Sequence, residues 1–131
     1  MTFYHQQVQY LKKSLYPKDY LLTQIIQSKK FIDNNYTNNI NLDDIAGEAF
    51  FSKFHFIRLF KKYYGVTPHQ YLIRVRVAGA KKLLQSGISI SDACYEVGFE
   101  SVPSFTKLFK VVTGTTPLAC RLKAVRKSNF E

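Results

Sequence analysis

The sequence is short of the residues that break helices and of those that staple small folds. It holds 6 glycines and 4 prolines in 131 residues, which favours helices over a turn-rich β fold. There are 2 cysteines, Cys94 and Cys120, with no close-spaced thiol pair. A disulfide framework is thereby excluded, and a reducing compartment fits. No apolar run reaches the roughly 18 residues of a membrane span, and the N-terminus lacks a signal-peptide core. The expectation is a soluble, cytoplasmic chain with no membrane contact. Acids are scarce as well. Asp and Glu number 9 against 19 Lys and Arg, so the net charge is +10. An excess this large points to a polyanion, either nucleic acid or an anionic membrane face, unless the basic surface has no function.

Hydrophobic residues make up 46% of the chain, which excludes a mainly disordered protein. The length suits one compact domain or two small helical lobes sharing a core. Residues 1–18 are aromatic and basic without a clear period, as in a tail or a short packed helix. From Asp19 the rhythm becomes helical, through Leu22, Ile25, Ile26, Lys29 and Ile32, ending at Asp33-Asn34-Asn35. Tyr36 to Asn41 reads as a loop. Asn41 caps a second helix, with Asp43 and Asp44 in the first turn and Leu42, Ile45, Ala46 and Ala49 inward. Ser52 caps a third helix running to about Tyr64, and Gly65 supplies a left-handed stop. Thr67-Pro68 opens a long helix that Ser86-Gly87 closes. Its inward residues are expected to be Tyr71, Leu72, Val75, Ala78, Leu83 and Leu84.

Much of this pattern then repeats. Ser91 to Val97 reads as a short helix and Phe99-Glu100-Ser101 as a turn. Ser101 caps a helix from Val102 to Val112, and Gly114 stops it. Thr116-Pro117 opens a final helix through about Val125, followed by frayed residues. The segment SKFHFIRLFKKYYGVTP from Ser52 aligns at constant offset with SVPSFTKLFKVVTGTTP from Ser101. Phe56 meets Phe105, Leu59-Phe60-Lys61 meets Leu108-Phe109-Lys110, and Thr67-Pro68 meets Thr116-Pro117. Upstream, Ile45-Ala46 matches Ala93-Cys94. One helix–turn–helix–stop unit thus occurs twice.

At about 100° per residue, Phe56, Leu59, Phe60 and Tyr63 share one side of the longer helix in the first unit. Phe54, Ile57, Arg58 and Lys61 share the other. In the second unit Phe105, Leu108, Phe109 and Val112 point in, while Pro103, Thr106, Lys107 and Lys110 point out. The outward sides carry cations and no acid. A short helix bracing a second one, whose outer face enters the major groove, has use for that distribution. Lysine and arginine neutralise phosphate and release counterions, and Arg58 can bind a guanine edge through two hydrogen bonds. Asp43, Asp44, Glu48, Asp92 and Glu96 fall on the supporting helices or their starts. Glu100 lies at the turn, where a backbone N–H or a neighbouring cation can hold it. The helix from Pro68 to Gln85 has 18 residues and spans about 27 Å at 1.5 Å per residue. With the offset of each lobe, a rigid connector of that order can set two readers about 34 Å apart, one turn of B-DNA.

At these residues the sequence resembles the AraC/XylS family of bacterial transcription regulators. The resemblance covers roughly Ile25 to Arg121. It is strongest in the second unit, at Ile90, Ala93-Cys94, Val97-Gly98-Phe99, Phe105, Lys107, Phe109-Lys110, Gly114 and Thr116-Pro117. Ile45-Ala46, Ser52, Arg58-Leu59-Phe60-Lys61-Lys62 and Gly65 agree in the first, and Tyr71-Leu72 and Ala80-Lys81-Lys82-Leu83-Leu84 join the units. The resemblance implies an all-α, homeodomain-like fold of about seven helices, with two helix-turn-helix subdomains joined by a long linker helix. The expected organisation is a tail or short helix over 1–18, a first subdomain over 19–66, a linker over 67–87, a second subdomain over 88–127 and a tail over 128–131. The partner implied is double-stranded DNA, entered at adjacent major grooves; the covalent repeat supplies both readers without a dimer, so a monomer in the cytoplasm at the nucleoid is expected.

Carried over by the resemblance, the base-reading positions are Lys53, Phe54, His55, Ile57 and Arg58, then Val102, Pro103, Ser104, Thr106 and Lys107. Lys61, Lys62 and Lys110 would touch the DNA backbone. Ile57 and Val102 depart from the polar side chains common in the family, Cys94 from a usual alanine, and Pro103 lies inside a helix start. An Ile or Val can touch a thymine methyl but donates no hydrogen bond, which makes the second unit the weaker reader. Family members often carry a separate sensor domain, whereas about 20–30 residues precede this region. Either a stand-alone regulator or the DNA-binding portion of a longer chain fits.

Phe54 reads either as a groove residue or as a lid on the first core. His5, His55 and His69 lack metal-ligand spacing, Cys94 reads as packing, and no catalytic constellation or phosphate-cradling loop is present. No enzyme activity, metal or cofactor is expected. Two other classes remain open. One is a protein-interaction module docking RNA polymerase or a sensor partner through the aromatic N-terminus and last helix. The other is a non-specific architectural DNA binder.

Overall fold

The computed structural model describes residues 17–41, 43–45 and 52–130. The expected tail over 1–16, Leu42, Ala46, Ala49 and Glu48 of the second helix, and Glu131 lie outside those residues. Among the described residues the chain is all-α. Six helices have defined bounds, and residues 43–45 add a helical stretch. They are α1 (Pro17–Asn35), α2 (Lys53–Tyr64), α3 (Pro68–Gln85), α4 (Ile90–Glu96), α5 (Val102–Thr113) and α6 (Pro117–Phe130). The last helix continues past Val125 to Phe130, so the frayed end expected there is instead helical backbone.

Side chains accepting backbone N–H groups set where the helices start. Ser52 accepts from His55 N and Ser101 from Ser104 N, each satisfying an orphan donor of the first turn. Asn41 and Asp44 cap each other's backbone at 2.8 and 3.1 Å, opening the stretch at 43–45. Thr67 and Gln70 do the same at the start of α3, a full capping box. Glycine sets where α2 and α5 stop. Gly65 (φ 78°) and Gly114 (φ 82°) take the left-handed conformation and donate to the carbonyls of Lys61 and Lys110.

Two cores form, one per unit. The first gathers Ile25, Ile32, Ile45, Phe56, Phe60 and Leu72. The second gathers Val77, Ala80, Leu84, Ala93, Cys94, Val97, Phe99, Phe105 and Phe109. Their aromatic pairs repeat closely, with ring centroids 5.8 Å apart for Phe56–Phe60 and 5.6 Å for Phe105–Phe109. The two-fold repetition in sequence is therefore a repetition of packing.

The helical faces differ from expectation at several positions. On α3, Ala78 is exposed, while Val77 and Ala80 are buried. The reason is that α3 serves two cores: Leu72 faces the first and Val77, Ala80 and Leu84 the second. At about 100° per residue, Leu72 and Val77 lie about 140° apart around the axis, so one stripe cannot describe the helix. On α1, Ile26 turns out at 40% exposure and Ser28 is buried. The Ser28 hydroxyl donates to the Ile25 carbonyl at 2.6 Å, which satisfies that hydroxyl within the core. Val112 on α5 is exposed rather than inward, because Phe105, Leu108 and Phe109 already fill the space beneath that helix.

Candidate nucleic-acid interface

Each unit presents its longer helix, α2 or α5, over a small core. Phe56 and Phe60 anchor α2, and Phe105 and Phe109 anchor α5, all fully buried. The spacing of four residues aligns each pair on one side of its helix and leaves the other side to solvent. That outward side carries most of the residues expected to face DNA.

On α2, Lys53, Phe54, His55, Arg58, Lys61 and Lys62 are exposed, and Ile57 is half-buried. Phe54 stands 77% exposed, so it is no lid on the first core. Lys53 lies at the first position of α2, with its ammonium 3.7 Å from the Asp43 carboxylate in an exposed pair. Such a pair holds little energy and leaves the lysine able to exchange its partner for a phosphate. On α5, Pro103, Ser104, Lys107 and Lys110 are exposed and Thr106 is half-buried. Val102 is half-buried against the second core, which limits its reach. Pro103 sits in the first turn of α5, where its missing N–H would lack an intrahelical partner anyway. The two edges therefore differ. The first offers a guanidinium, an imidazole and three ammonium groups, while the second offers two ammonium groups among smaller, less polar neighbours.

Other residues fall away from these faces. Cys94 is fully buried in the second core, and burial pushes its thiol pKa up, which keeps it protonated and unreactive near neutral pH. Glu100 is exposed, and its charge acts on Arg76, raising a guanidinium pKa that burial lowers more strongly. Among the described residues, no helix is long and apolar enough to cross a membrane.

Neither Tyr36 nor Arg76 stands out in the sequence, yet the structure joins them. Arg76 on α3 donates from Nε to the Tyr36 carbonyl at 2.7 Å and from Nη2 to the Asn38 carbonyl at 2.9 Å. Forty and thirty-eight residues separate Arg76 from these partners. No periodicity or motif reports a contact of that range.

Two outward helices, each braced on its own aromatic core and joined by a third, define a double helix-turn-helix protein. A family described as a helix-turn-helix domain matches residues 45–123. The HTH-type transcriptional activator AarP of Providencia stuartii is 37% identical over 93 residues, covering 70% of this chain and 69% of that protein. The bifunctional transcriptional activator/DNA repair enzyme AdaA of Bacillus subtilis is 40% identical over 93 residues, and the match spans 70% of this chain but 44% of that protein. Among solved structures, the DNA-binding domain of AdpA, a global transcriptional factor in complex with a target DNA, superposes with a TM-score of 0.74. It covers 79% of this chain and 94% of that one at 24% identity, a likeness of fold. The chain belongs to the AraC/XylS family of helix-turn-helix transcription regulators.

Proposed function

We propose that this chain is a sequence-specific, DNA-binding transcription regulator that inserts α2 and α5 into adjacent major grooves of double-stranded DNA. The observation that carries the reading is the covalent repeat: two helices with the same caps, stops and aromatic anchors, each turning cations outward. One chain then supplies both readers and acts as a monomer on an asymmetric site, in the cytoplasm at the nucleoid. The subdomains run over 19–66 and 88–127, with 67–87 between them.

The readers have unequal roles. Lys53, Phe54, His55, Ile57 and Arg58 form the dominant edge, with Arg58 suited to a guanine and Phe54 to a sugar or thymine methyl. Val102, Pro103, Ser104, Thr106 and Lys107 form an assisting clamp, which the half-buried Val102 supports. Lys61, Lys62 and Lys110 hold phosphates. Gel-shift titration against genomic fragments tests specificity, and binding with no preference over competitor DNA would leave only an architectural role. Arg58→Ala is expected to change base preference, whereas Lys110→Ala weakens all sites alike. Equal losses on every sequence for both variants would refute that division.

A second reading concerns a protein partner. Leu118, Leu122 and Val125 on α6 are exposed at 52%, 45% and 43%, and their spacing sets them along one side of the helix. That stripe suits docking on RNA polymerase or on a sensor domain. A nearly flat dependence of log affinity on log salt would favour a docking module over a DNA reader.

A further inference from the structure

The two units meet at a second place besides the covalent run of α3. Tyr36, just past the end of α1, packs against both cores. Its ring lies over Gly79 of α3. A Cβ at that glycine would stand 3.2 Å from the Tyr36 hydroxyl oxygen and 3.4 Å from Val97 Cγ1 of the second unit. One turn earlier on α3, Arg76 donates from Nε and Nη2 to the carbonyls of Tyr36 and Asn38. The turn after α4 closes on the same spot. Gly98 there has φ 100°, and a Cβ on it would come 2.9 Å from the Tyr36 carbonyl oxygen and 3.0 Å from Arg76 Nε. Glu100, two residues on, adds its field to the guanidinium. One side chain of the connector thus touches the turn that ends α1 and the turn that begins the second reader.

We propose that Arg76, with Tyr36, is a positioning residue that fixes the angle between the two reading helices. The idea rests on the two-groove reading above. A planar fork with two aligned donors suits this place, since it holds two carbonyls in one geometry where a lysine ammonium is a single point. The connector helix sets the distance between the units, and the clip sets their relative rotation. Binding two grooves at once requires both, because a second contact strengthens the first only when the geometry lets them engage together.

Two readouts test this, using the full chain as wild type, Arg76→Met and Arg76→Lys. The first needs no DNA. Amide residual dipolar couplings in the wild type should fit one alignment tensor for both units. In Arg76→Met the units should need separate tensors, while each keeps its own internal fit. A single shared tensor in Arg76→Met would overturn the proposal. The second readout is affinity for duplexes with both half-sites at varied spacing. Arg76→Met should lose about tenfold at the optimal spacing and flatten the profile, yet bind a duplex with one half-site scrambled as the wild type does. A uniform loss, scrambled duplex included, would assign Arg76 to stability alone and also overturn the proposal. Should Arg76→Met fail to fold, Arg76→Lys carries the same comparison with a smaller flattening. A wild-type profile already flat counts against two-groove reading and not against the clip, which the tensors judge alone.

Discussion

Gly65 and Gly98 both have positive φ, at 78° and 100°, yet their surroundings differ. Nothing lies within 4 Å of a Cβ built on Gly65, so alanine there meets only backbone strain, roughly 1–2 kcal/mol. At Gly98 the added Cβ would meet the Tyr36 carbonyl as well, and that backbone cannot swing aside like a flexible side chain. Gly98→Ala is therefore expected to lose more stability than Gly65→Ala in urea unfolding, and equal losses would show that the close approach relaxes freely. The thiols separate for a similarly local reason. Cys94 is fully buried with its pKa raised, and Cys120 is half-buried. An alkylating reagent near neutral pH should modify Cys120 first, with Cys94 reacting only on unfolding; mass spectrometry of the two peptides checks the order. Phe105→Ala removes a side chain shared by Phe99 and Phe109 and is expected to cost about 3–5 kcal/mol.

At the scale of elements, the two long helices that follow α2 and α5 begin alike but not identically. Thr67 accepts from Gln70 N while the Gln70 side chain returns a bond to the Thr67 N–H. Thr116 accepts from Ala119 N, and alanine has nothing to return. Thr67→Ala should therefore cost roughly 1 kcal/mol and Thr116→Ala less, as read by chemical unfolding of each variant. The reverse order would mean that context outweighs the box. These ends were readable in sequence, because caps and stops depend on a few neighbouring residues. The faces of α3 were less so. Its period mixes two buried sides, and only contacts with each core reveal which residue belongs to which.

At the scale of the molecule, charge dominates. A net charge of +10 and an exposed set that includes Arg58, Lys61, Lys62, Lys107 and Lys110 should make DNA affinity fall steeply with salt. Each phosphate contact contributes about 0.9 to the log–log slope, so Lys61→Gln, Lys62→Gln and Lys110→Gln should each flatten it by about that much. A slope unchanged in all three would remove them from the backbone contacts.

The amino-acid sequence by itself determined the fold class, the repeat, the caps and stops of α2 and α5, and the cationic side of each outward helix. All of these are local: a cap reaches three residues, a helical face repeats within two turns, and a covalent repeat is visible by alignment. Tertiary structure decided how the units sit against each other. Arg76 and Tyr36 lie forty residues apart in sequence but 2.7 Å apart in space, and Gly98 closes on them from the other unit. It also decided that Val102 leans into a core while Phe54 stands in solvent, since both are apolar residues near the start of a capped helix. The reason is physical. Hydrophobic burial rewards apolar area in general and is non-directional, so only the assembled neighbours determine which apolar residue is covered and which is left to meet a partner.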